Sequence, residues 1–147
     1  MKTIRITKEF KFEMAHALHE YDGLCANIHG HSYRLWVTIR GTVRDEHNHK
    51  KDGMVLDFSD LKSIVKPSVV DKYDHSLVLY ANSPHHVKLD LSAFDKVYYL
   101  PYQPTSENLV TDFALEIKKQ LPNHIELVKV VLSETTTSFA EWNIEDN

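Results

Sequence analysis

Two stretches of alternating residues, 3–16 and 29–43, restrict the fold of this chain more than any other feature of its sequence. In the first stretch, the residues of one parity are largely apolar: Ile4, Ile6, Phe10, Phe12 and Met14. In the second stretch, the same is true of Tyr33, Leu35, Val37, Ile39 and Val43. A period of two residues places such side chains on one face of a strand. The sequence therefore predicts two long β-strands, each with one buried face.

Two later stretches have the periodicity of helices. Residues 106–121 carry an apolar stripe at helical spacing, and Thr105 or Ser106 is in position to cap its N-terminus. Residues 58–72 also have a helical pattern, but Pro67 lies inside it and is expected to kink or end the helix.

The order of the elements predicts the fold class. Residues 125–133 and 137–144 read as two closing strands, whereas the prolines in 76–104 predict irregular structure there. The resulting order, β-β-α-α-β-β, is typical of an α+β fold. We expect a four-stranded antiparallel sheet with two helices on one face, in a single domain covering residues 1–147.

Composition narrows the classes of function. The 147 residues are 42% hydrophobic, and no apolar run approaches the length of a membrane span. The net charge of −4 argues against nucleic acid as a partner, and we expect no membrane partner. One cysteine excludes an internal disulfide, and the chain opens without an export signal, so we expect a cytoplasmic protein. Ten histidines are unusually many for this length.

Three of these histidines are candidate metal ligands. In His29-Gly30-His31 the two imidazoles are two residues apart on a strand, so they project from the same face. His16 closes the first strand with the parity of its apolar face, and it can converge on the same point if the strands pair antiparallel. Three histidines with one open position describe a catalytic zinc site. The simpler interpretation is a packing pair without a metal.

Cys25 lies four residues before His29 in a polar loop, and three roles are open for it. It can be a fourth zinc ligand that closes a structural site. It can instead be a free thiol beside an open site, acting as a base or nucleophile. A buried, inert cysteine is the third alternative, and the polar loop favours it least.

The carboxylates of Asp74 and Glu134 are candidate site residues because of the residues around them. Asp74 precedes His75, and a carboxylate beside an imidazole fixes its tautomer, although His75 can also simply cap a helix. Glu134 shares its parity with an apolar strand and therefore needs a partner, either a basic side chain or a ligand with two N–H donors.

We expect the six other histidines to be solvated: His19, His47, His49, His85, His86 and His124.

Six blocks in this order resemble one family. They are FKFEMAH, C-x₃-H-G-H, MVLDFSDLK, Asp74-His75, PTSENL and SET, and they run from about residue 10 to residue 136. This succession is similar to that of the 6-pyruvoyl- and 6-carboxy-tetrahydropterin synthases. The resemblance implies the tunnelling fold (T-fold), in which trimers close a barrel and pairs of trimers form hexamers, with active sites between subunits.

The resemblance also implies roles for particular residues. His16, His29 and His31 correspond to the zinc ligands, and Cys25 to the catalytic base. Asp74 and His75 correspond to the pair that activates this base, Glu134 to the carboxylate that anchors the pterin ring, and Glu107 to a substrate-pocket or capping residue.

The short C-x₃-H-G-H spacing resembles that of the bacterial 6-carboxy branch. This branch implies a Zn²⁺-dependent lyase that converts 7,8-dihydroneopterin triphosphate to 6-carboxytetrahydropterin, acetaldehyde and triphosphate, in queuosine and deazapurine biosynthesis. The alternatives are a 6-pyruvoyl-tetrahydropterin synthase, which eliminates triphosphate without C–C cleavage, and a non-catalytic, zinc-stabilised binding module.

Overall fold

The strands form a single sheet of six. A computed structural model describes residues 1–147, except the side chains of residues 86 and 87. The strands are β1 (Thr3–His16), β2 (His29–Thr42), β3 (Ser76–Tyr80), β4 (Val97–Leu100), β5 (Glu126–Ser133) and β6 (Phe139–Asn143). They lie in the order β4-β3-β1-β2-β5-β6. The four strands predicted from the sequence are neighbours in this order and pair antiparallel.

The sheet has six strands rather than the predicted four. β3 and β4 both lie in the stretch 76–104, which the sequence analysis took to be irregular. β3 pairs parallel with the last three residues of β1, Met14–His16, and β4 pairs parallel with β3. Both strands are short, and the prolines lie outside them, so the proline content of the stretch did not reveal them.

β1 and β2 form a long hairpin that fixes the register of the site. Thr3 pairs with Thr42 at one end, and His16 pairs with His29 at the other. A side-chain period of two then puts His16, His29 and His31 on the same face. This is the face that carries the buried apolar residues of the hairpin, among them Phe12 and Leu35.

Helices pack against the sheet. They are α1 (Phe58–Val65), a π-helical segment (Lys66–Val70), α2 (Asp71–Tyr73) and α4 (Ser106–Gln120). The chain also has a short helix, α3 (His85–Lys88), and 3-10 turns at Leu24–Ala26 and Ile144–Asp146. α4 packs against β5 and β6, and α1 and α2 pack against β1. No helix in the described chain is both long and apolar enough to cross a bilayer.

Pro67 changes the helix without stopping it. The regular α-helix ends at Val65, as the proline predicts, and the chain continues through the π-helical segment into α2. The wider π turn accommodates a proline that lacks the N–H for the usual hydrogen bond. At α4, the Thr105 side chain accepts a hydrogen bond from the backbone N–H of Asn108, which confirms the predicted cap.

Candidate metal centre

Three imidazoles meet at the end of the β1–β2 hairpin. His16 is the last residue of β1, and His29 and His31 are the first and third residues of β2. One ring nitrogen from each of them lies within 4.8 Å of the other two. His16 is only 1% exposed, whereas the other two are half-buried. The structure thus brings together the three histidines that the sequence analysis singled out.

Backbone carbonyls fix the orientation of two of these rings. His16 Nδ1 lies 2.7 Å from the carbonyl oxygen of Pro104, and His29 Nδ1 lies 2.7 Å from that of Asn27. A carbonyl oxygen only accepts, so each Nδ1 carries the proton and donates it. When such a ring is neutral, the lone pair of its Nε2 is directed towards the common point. Such contacts are the usual second layer around a metal-binding histidine.

The facing lone pairs require a cation between them. His16 Nε2 and His29 Nε2 are 3.0 Å apart, and both are acceptors when the rings are neutral with the proton on Nδ1. Two acceptors at this distance repel each other unless a proton or a metal ion lies between them. Nitrogen ligands of a tetrahedral zinc at about 2.0–2.1 Å are themselves about 3.3 Å apart. His31 Nε2 belongs to the same group of ring nitrogens, and it is buried without a well-aligned hydrogen bond. The donor set therefore suits a divalent ion.

Glu134 adds a negative charge at this point. Its Oε1 lies 3.2 Å from His16 Nε2 and 3.3 Å from His31 Nε2. The sequence analysis expected a basic side chain or a ligand as its partner, but in the structure its partners are the imidazoles. The hydrogen-bonding contact with His16 and the neighbouring histidine charges lower the pKa of Glu134, while burial lowers the pKa of His31. The ionised form of the Glu134 carboxylate is therefore favoured at the imidazole cluster, and its negative charge favours cation binding.

Cys25 shares a cavity with His16 but lies outside the group of three imidazoles. In the described chain, the potential metal-binding cluster consists of the three histidines alone. Cys25 is half-buried, and it lines a cavity of about 330 Å³ together with His16, Glu107 and Glu134. Four of the residues selected from the sequence thus share one cavity. This arrangement favours a free thiol at the edge of the site over a sulfur ligand.

Asp74 and His75 are in contact with each other, but His75 lines a different cavity from that of Cys25. Asp74 Oδ2 lies 3.0 Å from His75 Nδ1, as expected of a carboxylate that orients an imidazole. The His75 side chain is 76% exposed and lines a cavity of about 660 Å³, which it shares with His31. The two cavities therefore border the imidazole cluster from different sides. Within one chain, Cys25 and His75 do not line the same cavity.

The stability contributed by Asp74 is expected to depend on pH. The Glu13 backbone N–H donates to Asp74 Oδ1 at 2.9 Å, and this bond is the main cause that lowers the pKa of Asp74 below its usual 3.8. A lowered folded-state pKa gives a stabilisation that is complete above the unfolded-state pKa and is lost as the pH falls through the folded-state value. The excess melting temperature of the wild type over Asp74→Ala should therefore shrink as the pH is lowered from about 5 through 3.8 and below. A difference that stays constant over this range would contradict this assignment.

Two of the remaining histidines are less solvated than predicted. His47, His49 and His124 are exposed, as expected, whereas the side chain of His86 lies outside the described residues. His19 and His85 are half-buried, with ring centroids 6.1 Å apart, so the expectation was wrong for both. The stretch 76–104 packs against the loop that carries His19, which the sequence did not indicate.

The groups that hold the site in place could not be recognised from the sequence. The carbonyls of Pro104 and Asn27 are backbone groups, and no residue type in the sequence indicates that they accept these hydrogen bonds. Gln103, whose amide binds the backbone of His19, follows β4 in an irregular segment without any pattern. Only its position next to the PTSENL block could have drawn attention to it.

Comparison with known proteins decides the family. Residues 5–145 match the family described as 6-pyruvoyl tetrahydropterin synthase. The chain belongs to this family. A protein of Haemophilus influenzae named 6-carboxy-5,6,7,8-tetrahydropterin synthase is 35% identical over 141 residues, covering 94% of this chain and 97% of that protein. A protein of the same name from Aquifex aeolicus is 31% identical, covering 95% and 98% of the two chains.

Solved structures of the synthase family have the same fold. The Caenorhabditis elegans 6-pyruvoyl tetrahydropterin synthase superposes with a TM-score of 0.69 at 26% identity, covering 97% of this chain and 96% of that one. The Plasmodium falciparum enzyme superposes with a TM-score of 0.71 at 25% identity, covering 95% and 96%. The predicted α+β tunnelling fold is confirmed, with two strands more than expected.

Proposed function

We propose that this pterin synthase is a zinc-dependent 6-carboxy-5,6,7,8-tetrahydropterin synthase. Its substrate is 7,8-dihydroneopterin triphosphate, and its products are 6-carboxytetrahydropterin, acetaldehyde and triphosphate, in the biosynthesis of queuosine and related deazapurines. The names of the Haemophilus influenzae and Aquifex aeolicus relatives support the 6-carboxy product. The short Cys25–His29 spacing, which resembles that of the 6-carboxy branch, also supports it.

The observation that carries the proposal is the pair of facing Nε2 atoms of His16 and His29, 3.0 Å apart. Their tautomers leave two lone pairs directed at one point, and a bound cation accounts for this arrangement. Zinc matches a set of three neutral imidazoles, and it would act as a Lewis acid towards the hydroxyl groups of the substrate side chain.

The residues of the smaller cavity have complementary roles. The Glu134 carboxylate accepts two parallel hydrogen bonds from the N–H edge of the pterin, a geometry that carboxylates form well with guanidine-like groups. Glu107, which lines the same cavity, is a second polar contact for the ring. The Cys25 thiolate removes a proton from the substrate side chain. Its half-buried position at the cavity wall gives it access to a bound ligand.

His75, oriented by Asp74, relays protons in this scheme, and we propose that it comes from a second copy of the chain. His75 is exposed and lines the other cavity, so a neighbouring copy is needed to bring it to Cys25.

The sheet has free edges where such a copy can pair. In the described chain the edge strands are β4 and β6, and β3 covers only Met14–His16 of β1, which leaves residues 3–13 of β1 without a partner strand on that side. Long open edges are a usual site of strand pairing between chains. Sedimentation analysis should therefore find a trimer or hexamer, and a monomer would contradict this part of the proposal.

Product analysis tests the proposed reaction. The purified, metal-loaded protein is incubated with 7,8-dihydroneopterin triphosphate, and the products are identified by mass. We expect 6-carboxytetrahydropterin and acetaldehyde in equal amounts. 6-Pyruvoyl-tetrahydropterin without acetaldehyde would identify the second candidate, which the names of the two solved relatives favour. If the metal-loaded protein leaves the substrate unchanged, both synthase functions are wrong and a zinc-stabilised binding module is favoured.

A further inference from the structure

A glutamine amide holds the loop that carries the thiol. Gln103 Nε2 donates to the carbonyl of His19 at 2.6 Å, and the N–H of His19 donates to Gln103 Oε1 at 3.0 Å. One side-chain amide therefore satisfies both backbone groups of a single residue, 84 positions away in the sequence. A matched pair of this kind defines the position and the orientation of the residue it binds.

The amide is itself held rigidly. The backbone carbonyl of Gln103 accepts hydrogen bonds from the Thr105 N–H at 2.8 Å and from Asn108 Nδ2 at 3.0 Å. These two contacts tie Gln103 to the first turn of α4. The side chain therefore presents its amide from a fixed base, and less conformational entropy is lost in making the two bonds.

The contact between Gln103 and His19 is linked to Cys25 through the neighbouring residue Leu18. Leu18 is the residue before His19, and its N–H donates to the carbonyl of Cys25 at 2.8 Å. This hydrogen bond closes the loop 17–28 next to His19, the residue that Gln103 binds. Glu20, which follows His19, has φ of +58°, a left-handed conformation that a non-glycine residue adopts only at some cost. The clamp on His19 offsets this cost and keeps the loop in one conformation.

The same segment also orients a candidate metal ligand. Pro104, the residue after Gln103, accepts the hydrogen bond from His16 Nδ1. The loop with the thiol and the first imidazole are therefore attached to adjacent residues of one short segment. This arrangement fixes the distance between Cys25 and the imidazole cluster.

We propose that Gln103 is a positioning residue, whose amide clamps His19 and thereby holds the Cys25 thiol in the cavity beside the three imidazoles. The inference rests on the proposed function only for its effect on turnover, because the position of the thiol can be measured without substrate. Gln103 itself lies outside the lining of the cavity and need not touch the ligand.

The test compares Gln103→Ala and Gln103→Glu with the wild type, all loaded with metal. Glutamate keeps the acceptor but loses the donor, and so provides a second variant if alanine impairs folding. Gln120→Ala is a matched control, because Gln120 is an exposed amide at the far end of α4 whose weak 3.4 Å contact is with Glu116. Cys25 is the only cysteine of the chain, so the rate of alkylation by iodoacetamide reports on this thiol alone.

We expect both Gln103 variants to be alkylated at least about threefold faster than the wild type, since the loop opens more often. Their kcat should fall about 10- to 100-fold, as a displacement of about 1 Å at a reacting group can cause, while KM and metal content stay near wild-type values. Gln120→Ala should match the wild type in alkylation rate, kcat, KM and metal content. Unchanged alkylation in both Gln103 variants would overturn the inference, and so would loss of metal in parallel with kcat.

The outcomes separate this inference from the proposed function. If the wild type produces no pterin product, the proposed function fails, but faster alkylation of the Gln103 variants still supports the clamp. If the wild type is active and the variants retain its alkylation rate, the clamp is wrong and the proposed function stands.

Discussion

Replacing Cys25 by alanine is expected to lower kcat of the metal-loaded protein by about 10²–10⁴-fold, the usual contribution of a general base. Metal content should not change, because the three imidazoles form the candidate cluster without the sulfur. Cys25 is half-buried in a surface loop, so its truncation leaves the apolar core intact. The measurement is product formation and metal content on the same preparation.

A matched variant separates the chemistry of the thiol from its packing. Cys25→Ser keeps the size of the side chain but exchanges the thiol for a much weaker acid, so its kcat should also fall steeply. If Cys25 were a structural ligand, both variants would lose metal and melt at a lower temperature. That joint loss would contradict the role of a free base and would favour a closed Cys-His₃ site.

Replacing His29 by alanine is expected to abolish stoichiometric metal binding and, with it, turnover. The variant retains only two of the three clustered imidazoles, whereas catalytic zinc sites use three protein ligands. His29 is a better choice than His16, since His16 is almost fully buried and its removal would also disturb the core. A ligand that binds only the folded state stabilises it by about 2.7 kcal/mol at a hundred times its Kd. Zinc should therefore raise the melting temperature of the wild type and leave that of His29→Ala unchanged.

The control for this experiment is His47→Ala, which removes an exposed histidine from a loop at the opposite end of the hairpin. This variant should bind zinc and be stabilised by it as the wild type is. Equal stabilisation of His29→Ala and the wild type would mean that zinc binds elsewhere, and the proposed metal centre would be wrong.

The hairpin and the cluster at its end could be predicted because both follow from local periodicity. An alternation of two residues defined β1 within the observed bounds, and it put His16, His29 and His31 on one face without knowledge of any distant contact. The antiparallel register then brought the three rings together. The stripe of α4 and its Thr105 cap are local patterns of the same kind.

What could not be predicted depends on contacts between distant segments. β3 and β4 are short strands whose pairing is decided by the end of β1 and not by their own composition. The imidazole partners of Glu134 and the amide clamp of Gln103 join residues far apart in the sequence. Asp74 and His75 were recognised as a pair, but their separation from the cavity of Cys25 is a property of the folded chain.

The central claim is that three imidazoles hold one divalent ion while the sulfur of Cys25 lies near it without binding. Anomalous diffraction data collected at the zinc absorption edge, from crystals of the zinc-loaded protein, test this claim most directly. We predict one anomalous peak per chain, about 2.0–2.1 Å from Nε2 of His16, His29 and His31. A peak about 2.3 Å from Cys25 Sγ, or imidazoles that point apart with no peak between them, would contradict the account.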